Sequence, residues 1–262
     1  MNALITGASQ GIGRGIALSL AATGATVYIT GRDPHRLAQT AHECQARGGT
    51  AHAIRCDHTV DAEVDSLFEQ LPALDLLVNN VWGGYESYPR GLPQHAFWQL
   101  RLADWDAMFS TGLRPHFAAA RLAAPAMIQR RAGLIINTLA WVGGQYVRPL
   151  PYDLVKQALA RMTYSMALEL KPHQVAVVAL APGFVRTERI LAAHAAHPFD
   201  LSITESPEYT GRAVAHLAAD PSVLGKSGHV LTVGQLAREY NFTDVDSRQP
   251  PPFELPPSMR LD

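Results

Sequence analysis

An α/β domain built on one doubly wound parallel sheet of about seven strands, flanked by helices, is the fold this 262-residue sequence predicts. Three observations carry it: short unbroken apolar runs recur along the chain, segments of helical length separate them, and a glycine cluster follows the first run directly. The runs lie at 3–5, 26–30, 51–55, 74–79, 134–138, 175–180 and 229–233; unbroken rather than alternating, they suit strands buried on both faces of a parallel sheet. The helical segments lie at 12–22, 34–47, 62–71, 105–130, 152–170 and 209–219, which gives a repeating strand–helix order. Asp33-Pro34 opens the second helix with an N-cap and a proline in its first turn, and Gly48-Gly49 closes it.

Two connections, 82–104 and 184–206, exceed ordinary loop length and leave the carboxyl ends of strands, where open α/β sheets bind ligands. Trp82, Tyr85, Tyr88 and Trp98 crowd the first and Phe184 and Phe199 the second, so these are the expected pocket walls for an apolar small-molecule substrate. Residues 1–240 are expected to form one dinucleotide-binding and catalytic domain. Residues 241–262 form a proline-rich tail, whose last stretch from Gln249 is expected either to wrap a surface in extended form or to move freely.

Composition narrows the function classes. Twenty-two basic residues against 23 acidic ones provide no field for a polyanion, so nucleic acid is not an expected partner. Two cysteines, Cys44 and Cys56, lack metal or disulfide spacing, and His194 with His197 has no converging third ligand, so no metal is expected. No leader segment and no apolar stretch of about 20 residues is present, so a cytoplasmic protein without membrane association is the expectation.

The first strand runs into Thr6-Gly7-Ala8-Ser9-Gln10-Gly11-Ile12-Gly13 and then an amphipathic helix. Glycines there permit a tight reversal and let main-chain N–H groups approach a pyrophosphate at a helix N-terminus, although glycines could also serve only to pack strand on helix. This points to a Rossmann-type sheet. The second strand ends Thr30-Gly31-Arg32, with Gly31 where a carboxylate would hold a ribose 2′-hydroxyl. Arg32 instead offers a cation to a 2′-phosphate, favouring NADP(H), with NAD still possible if Asp33 bonds the ribose. Tyr152 and Lys156 are spaced i, i+4 on one helical face, so the ammonium can lie beside the phenol and draw its pKa down from about 10, making Tyr152 a general acid or base.

The glycine motif, Asp57 after the third strand, Asn79-Asn80 after the fourth, Y-x-x-x-K at 152–156, and Ala181-Pro182-Gly183 with Thr187 together resemble the short-chain dehydrogenase/reductase family over residues 2–235. Further matches, among them Gly112-Leu113-Arg114 and Leu150-Pro151-Tyr152, resemble the branch containing dehydrogenase/reductase member 1 and its bacterial relatives. The resemblance implies that Gly7, Ser9, Gln10, Gly11, Ile12 and Gly13 hold the pyrophosphate, that Cys56 and Asp57 meet the adenine, and that Asn80 and Val81 flank the cofactor. Pro182, Gly183, Val185 and Thr187 would line the nicotinamide carboxamide, Lys156 would hold its ribose, Tyr152 would be the acid/base, and the protein would be a homo-oligomer.

Two positions depart from the family pattern. Ala140 stands where a serine is usual, with Thr138 two residues earlier as a partial substitute or else merely satisfied by backbone, and Gly112 stands for an asparagine, loosening its helix. The expected activity is NADP(H)-dependent interconversion of a carbonyl and a secondary alcohol; the alternative, motivated by Ala140 and Gly112, is a dinucleotide-binding sensor with weak or no catalysis.

Overall fold

Seven parallel strands, β1 (Asn2–Ile5), β2 (Thr26–Gly31), β3 (Thr50–Arg55), β4 (Leu76–Asn79), β5 (Gly133–Thr138), β6 (Val175–Ala181) and β7 (Val230–Thr232), pair in the order β3-β2-β1-β4-β5-β6-β7 in the computed structural model, which describes residues 1–85, 95–141 and 145–255. The order reverses between β1 and β4, which is the switch point where such sheets open a crevice at their carboxyl ends. The helices are α1 (Gly11–Ala21), α2 (Pro34–Ala46), α3 (Asp61–Gln70), α4 (Leu102–Gly112), α5 (Arg114–Arg130), α6 (Leu150–Leu170), α7 (Glu188–Ala196), α8 (Pro207–Ala219) and α9 (Val233–Tyr240).

Both faces of the sheet are covered. On one, Ile16 and Leu20 of α1, Leu37 of α2, Val214 and Leu217 of α8 and Leu236 of α9 pack with Ile5, Val27 and Val78. On the other, Val64 and Leu67 of α3, Met127 of α5 and Leu170 of α6 pack with Leu4, Leu77 and Val177. All seven residues of β6 are buried, as an apolar run in a central strand requires. The edge strands differ: only Ala51 of β3 is buried and β7 is part-exposed throughout, because an edge strand has one neighbour. Asp33 caps α2 as expected, its carboxylate accepting from His35 N at 3.0 Å and Arg36 N at 3.1 Å.

Two differences from the sequence expectation bear on the site. The helix expected at 105–130 is two, because Pro115 has no N–H to give the Thr111 carbonyl; Gly83 N donates to that carbonyl instead, at 3.4 Å. The connection at 184–206 contains α7, and the stretch after β7 folds as α9, with Thr232 as its N-cap. Of the two courses expected for the tail, its described part, 249–255, takes the first and lies on α8 and α9: Tyr209 Oη donates to Pro250 O at 3.0 Å, Gln249 Nε2 to Ala237 O at 2.9 Å, and Leu255 is buried. The expectations for Tyr88 and for 256–262 fall outside the described residues. No described helix is long and apolar enough to cross a membrane.

Candidate active site

The glycine loop is held to the β4 end by a short mesh of hydrogen bonds. Thr6 Oγ1 accepts from Asn80 N at 2.9 Å and Val81 N at 3.1 Å, while Asn80 Nδ2 donates to the carbonyls of Thr6 and Gly7, both at 3.1 Å. The Asn80 side chain thus braces the loop. Gly7 and Gly11 have φ of +67° and +58°, and a Cβ on Gly13 would stand 2.3 Å from Gly7 O, so each glycine is dictated by backbone. At the N-terminus of α1, Gly11 N donates to Glu188 Oε2 at 3.0 Å, so this end of the helix already holds an anionic oxygen. Gln10 is exposed, Ile12 packs against the core, and Ser9 lies against Gly31, where a Cβ would come within 3.2 Å of the Ser9 side chain.

Across the β2–β3 edge, Asp33 is committed to capping α2 and to an ion pair with Arg36 at 3.3 Å. Arg32 lies exposed near Asp57; burial works against the Asp57 carboxylate, but hydrogen bonds from Thr59 and the Arg32 charge outweigh it and hold its pKa below the usual value. Cys56 turns its thiol into the core, where burial pushes it up to about 12, so what Cys56 can offer a ligand is main chain.

On the other side of the switch point, α6 carries Tyr152 and Lys156 into a wall of aromatic rings. The Trp82 ring lies 5.5 Å from that of Tyr152 at 88°, and Lys156 Nζ stands 3.6 Å from the Trp82 ring centroid. Tyr85 stacks on Tyr152 at 6.3 Å and 22°, and the two hydroxyls share a hydrogen bond. Gly112 is explained by the same indole: a Cβ there would be 2.3 Å from Trp82 Cζ3. The missing asparagine is therefore the space that Trp82 fills.

The expected depression of the Tyr152 pKa is not found. Burial, then Tyr85 and Asp153, push it well above 10, while burial alone pulls Lys156 down to about 7. Desolvation outweighs a lysine whose Nζ is 5.4 Å from the tyrosine ring centroid. Thr138 does not substitute for a serine either, since its buried hydroxyl is taken up by Asn79 O at 3.3 Å and Asn80 Oδ1 at 3.4 Å. Ala140 packs against the Tyr152 cluster and offers no hydroxyl.

The third wall follows β6. Gly183 N, next to Pro182, donates to Glu205 Oε1 at 3.0 Å, and burial lifts the Glu205 carboxyl to about 7. Val185 is buried and bridges to Glu205; Thr187 caps α7, and its methyl is 3.4 Å from where a Gly11 Cβ would lie. The Arg189 guanidinium stands 4.2 Å over the Tyr85 ring. The fold therefore gathers Gly7, Gly11, Gly13, Asn80, Val81 and Thr187 at one end of the crevice and Tyr152 with Lys156 at the other. Sequence reasoning missed the Trp82–Gly112 fit, the Thr6 brace, Glu188 and Glu205; only the aromatic density of 82–85 signalled any of them.

Comparison with known proteins gives the same picture. A family model described as short chain dehydrogenase matches residues 1–196. The chain is 39% identical over 261 residues to mouse dehydrogenase/reductase SDR family member 1, covering 94% of this chain and 83% of that one. It is 33% identical over 192 residues to the 3-oxoacyl-[acyl-carrier-protein] reductase of Aquifex aeolicus, 71% of this chain and 74% of the other. A metagenomic short-chain oxidoreductase solved in complex with NADP superposes with a TM-score of 0.73 at 30% identity, covering 88% of this chain and 96% of that one.

Proposed function

The chain belongs to the short chain dehydrogenase family, and from that premise we propose an NADP(H)-dependent oxidoreductase that interconverts a carbonyl and a secondary alcohol on a small to mid-sized apolar molecule. The observation that carries this reading is that a glycine-lined helix N-terminus and a buried Tyr152–Lys156 pair flank the carboxyl ends of the strands at the β1–β4 switch point.

The residues present suit a dinucleotide. Gly11 N already donates to a carboxylate oxygen, so a pyrophosphate oxygen would meet a donor that reaches outward, and the Cβ-free surface of Gly7, Gly11 and Gly13 permits close approach. Arg32 beside Asp57, with Asp33 engaged in its cap, supports NADP(H) over NAD(H). The bound nicotinamide would supply or accept hydride.

The chain supplies the proton. A phenol held well above 10 is fully protonated at neutral pH, so Tyr152 acts as an acid toward a carbonyl oxygen, which suits reduction. Lys156, near 7, changes charge in the working range and sits beside the ring it serves, oriented by the Trp82 face. Phe184, Phe199 and Phe253, with ring centroids 5.6 and 6.4 Å from Phe184, give an apolar flank for the substrate. Localisation in the cytoplasm and a homo-oligomeric state are consistent parts of the proposal.

Tyr152→Phe tests it. NADPH-dependent reduction across ketones, aldehydes and quinones should fall by about 10²–10⁴-fold in the variant, the usual worth of a positioned acid, with NADPH affinity within about twofold of the parent. NADPH binding by the parent without turnover on any carbonyl would favour the sensor reading, which Ala140 motivates.

A further inference from the structure

We propose that Tyr85 is a second catalytic hydroxyl, donating a hydrogen bond to the substrate carbonyl oxygen beside Tyr152. The inference rests on the carbonyl–alcohol reading above. A carbonyl oxygen has two lone pairs, and Tyr152 fills one of them. Among the described residues the other hydroxyl that meets Tyr152 is that of Tyr85, and the near-parallel rings, 6.3 Å apart at 22°, carry both hydroxyls to one point. The neighbouring candidates are spent or absent: Thr138 bonds Asn79 and Asn80, and Ala140 has no donor.

The surroundings fix Tyr85 for this task. The Trp82 ring meets it edge-on at 5.6 Å and 67° from one direction, and the Arg189 guanidinium covers its ring at 4.2 Å. Those contacts hold the ring in place, and burial, outweighing the Tyr152 hydrogen bond and the Arg189 charge, keeps the Tyr85 hydroxyl above its usual pKa and so protonated and able to donate. A donor fixed where charge develops on a substrate oxygen stabilises the transition state without reorganising first. When a ketone enters, its oxygen takes the place each hydroxyl gave the other. A bound reduced nicotinamide would supply hydride for the new C–H bond; as the C=O π pair moves to oxygen, that oxygen takes the Tyr152 proton. Tyr152 is left as phenolate, to which Tyr85 can donate until solvent returns the proton; Tyr85 itself loses none.

Tyr85→Phe keeps the ring and removes only the hydroxyl. On the ketone the parent reduces fastest, kcat should fall by about 10²–10³-fold, the loss expected for one preorganised donor, with NADPH affinity unchanged and the melting temperature lowered only by what one buried hydrogen bond contributes. Independently of turnover, the Tyr152 Cζ resonance of ¹³C-tyrosine-labelled protein without dinucleotide, assigned by its loss in Tyr152→Phe, should move in Tyr85→Phe. Turnover within about threefold of the parent overturns the proposal, as does an unmoved resonance, because the ring alone would then be what Tyr85 contributes. Absence of carbonyl turnover in the parent removes the reading on which it rests and is distinguished from both.

Discussion

On the β1–β3 side of the switch point the glycine loop is shaped by main chain, and the side chains nearby, Thr6, Asn80 and Asp33, are engaged in holding main chain in place. On the β4–β6 side the order is inverted: Tyr152, Lys156, Trp82, Tyr85 and Arg189 come from three separate segments and meet through rings and charges. The first half tolerates almost no addition, since its neighbours are backbone. The second can be rebuilt by compensating pairs, and Trp82 with Gly112 is such a pair.

Substitutions sharpen that contrast. Of the substitutions at these small residues, the largest effect is expected at Gly13→Ala, where the new Cβ would lie 2.3 Å from Gly7 O and 2.9 Å from Ala8 Cα. Overpacking against backbone costs about 1–3 kcal/mol, so NADPH should bind roughly tenfold to a hundredfold more weakly by calorimetry, with a lower melting temperature. Unchanged binding would mean the loop is looser than its contacts imply. Gly112→Ala presses on an indole that can yield, so a fall in kcat of about fivefold to tenfold with intact NADPH affinity is expected, from overpacking at the low end of the same range. Partial recovery in Gly112→Ala combined with Trp82→Leu would establish the two positions as one unit; a further loss would separate them. The smallest effect is expected at Ala140→Ser: with Tyr85 already donating, steady-state turnover should stay within about threefold of the parent. A gain on the order of a hundredfold would mean the site lacks the second donor that Tyr85 is assigned.

The legibility of the two halves in the sequence follows the same division. Glycine spacing, the Asp33-Pro34 cap and the apolar runs are local signals, so the sheet, the α1 turn and the α2 start were readable from neighbouring residues. The Tyr152–Lys156 pairing was readable because both residues share a helix, but its electrostatics were not. The spacing places a cation near a phenol and says nothing of the burial that pushes the two pKa values the other way. Gly112 read as a loss of function because the indole it accommodates is 30 positions away in the chain. The α7 helix was missed because its nine residues include none that are buried, leaving no apolar stripe to read.

The interruption between α4 and α5 joins two segments as well as dividing a helix. With a residue other than proline at 115, a backbone N–H would take the Thr111 carbonyl into the helix ladder and leave the Gly83 amide to find another partner. As built, the missing rung is the mooring of the loop that carries Trp82, and so of the face on which Lys156 rests. Proline at 115 therefore reaches Lys156 without touching it, by a vacancy handed from one backbone to another.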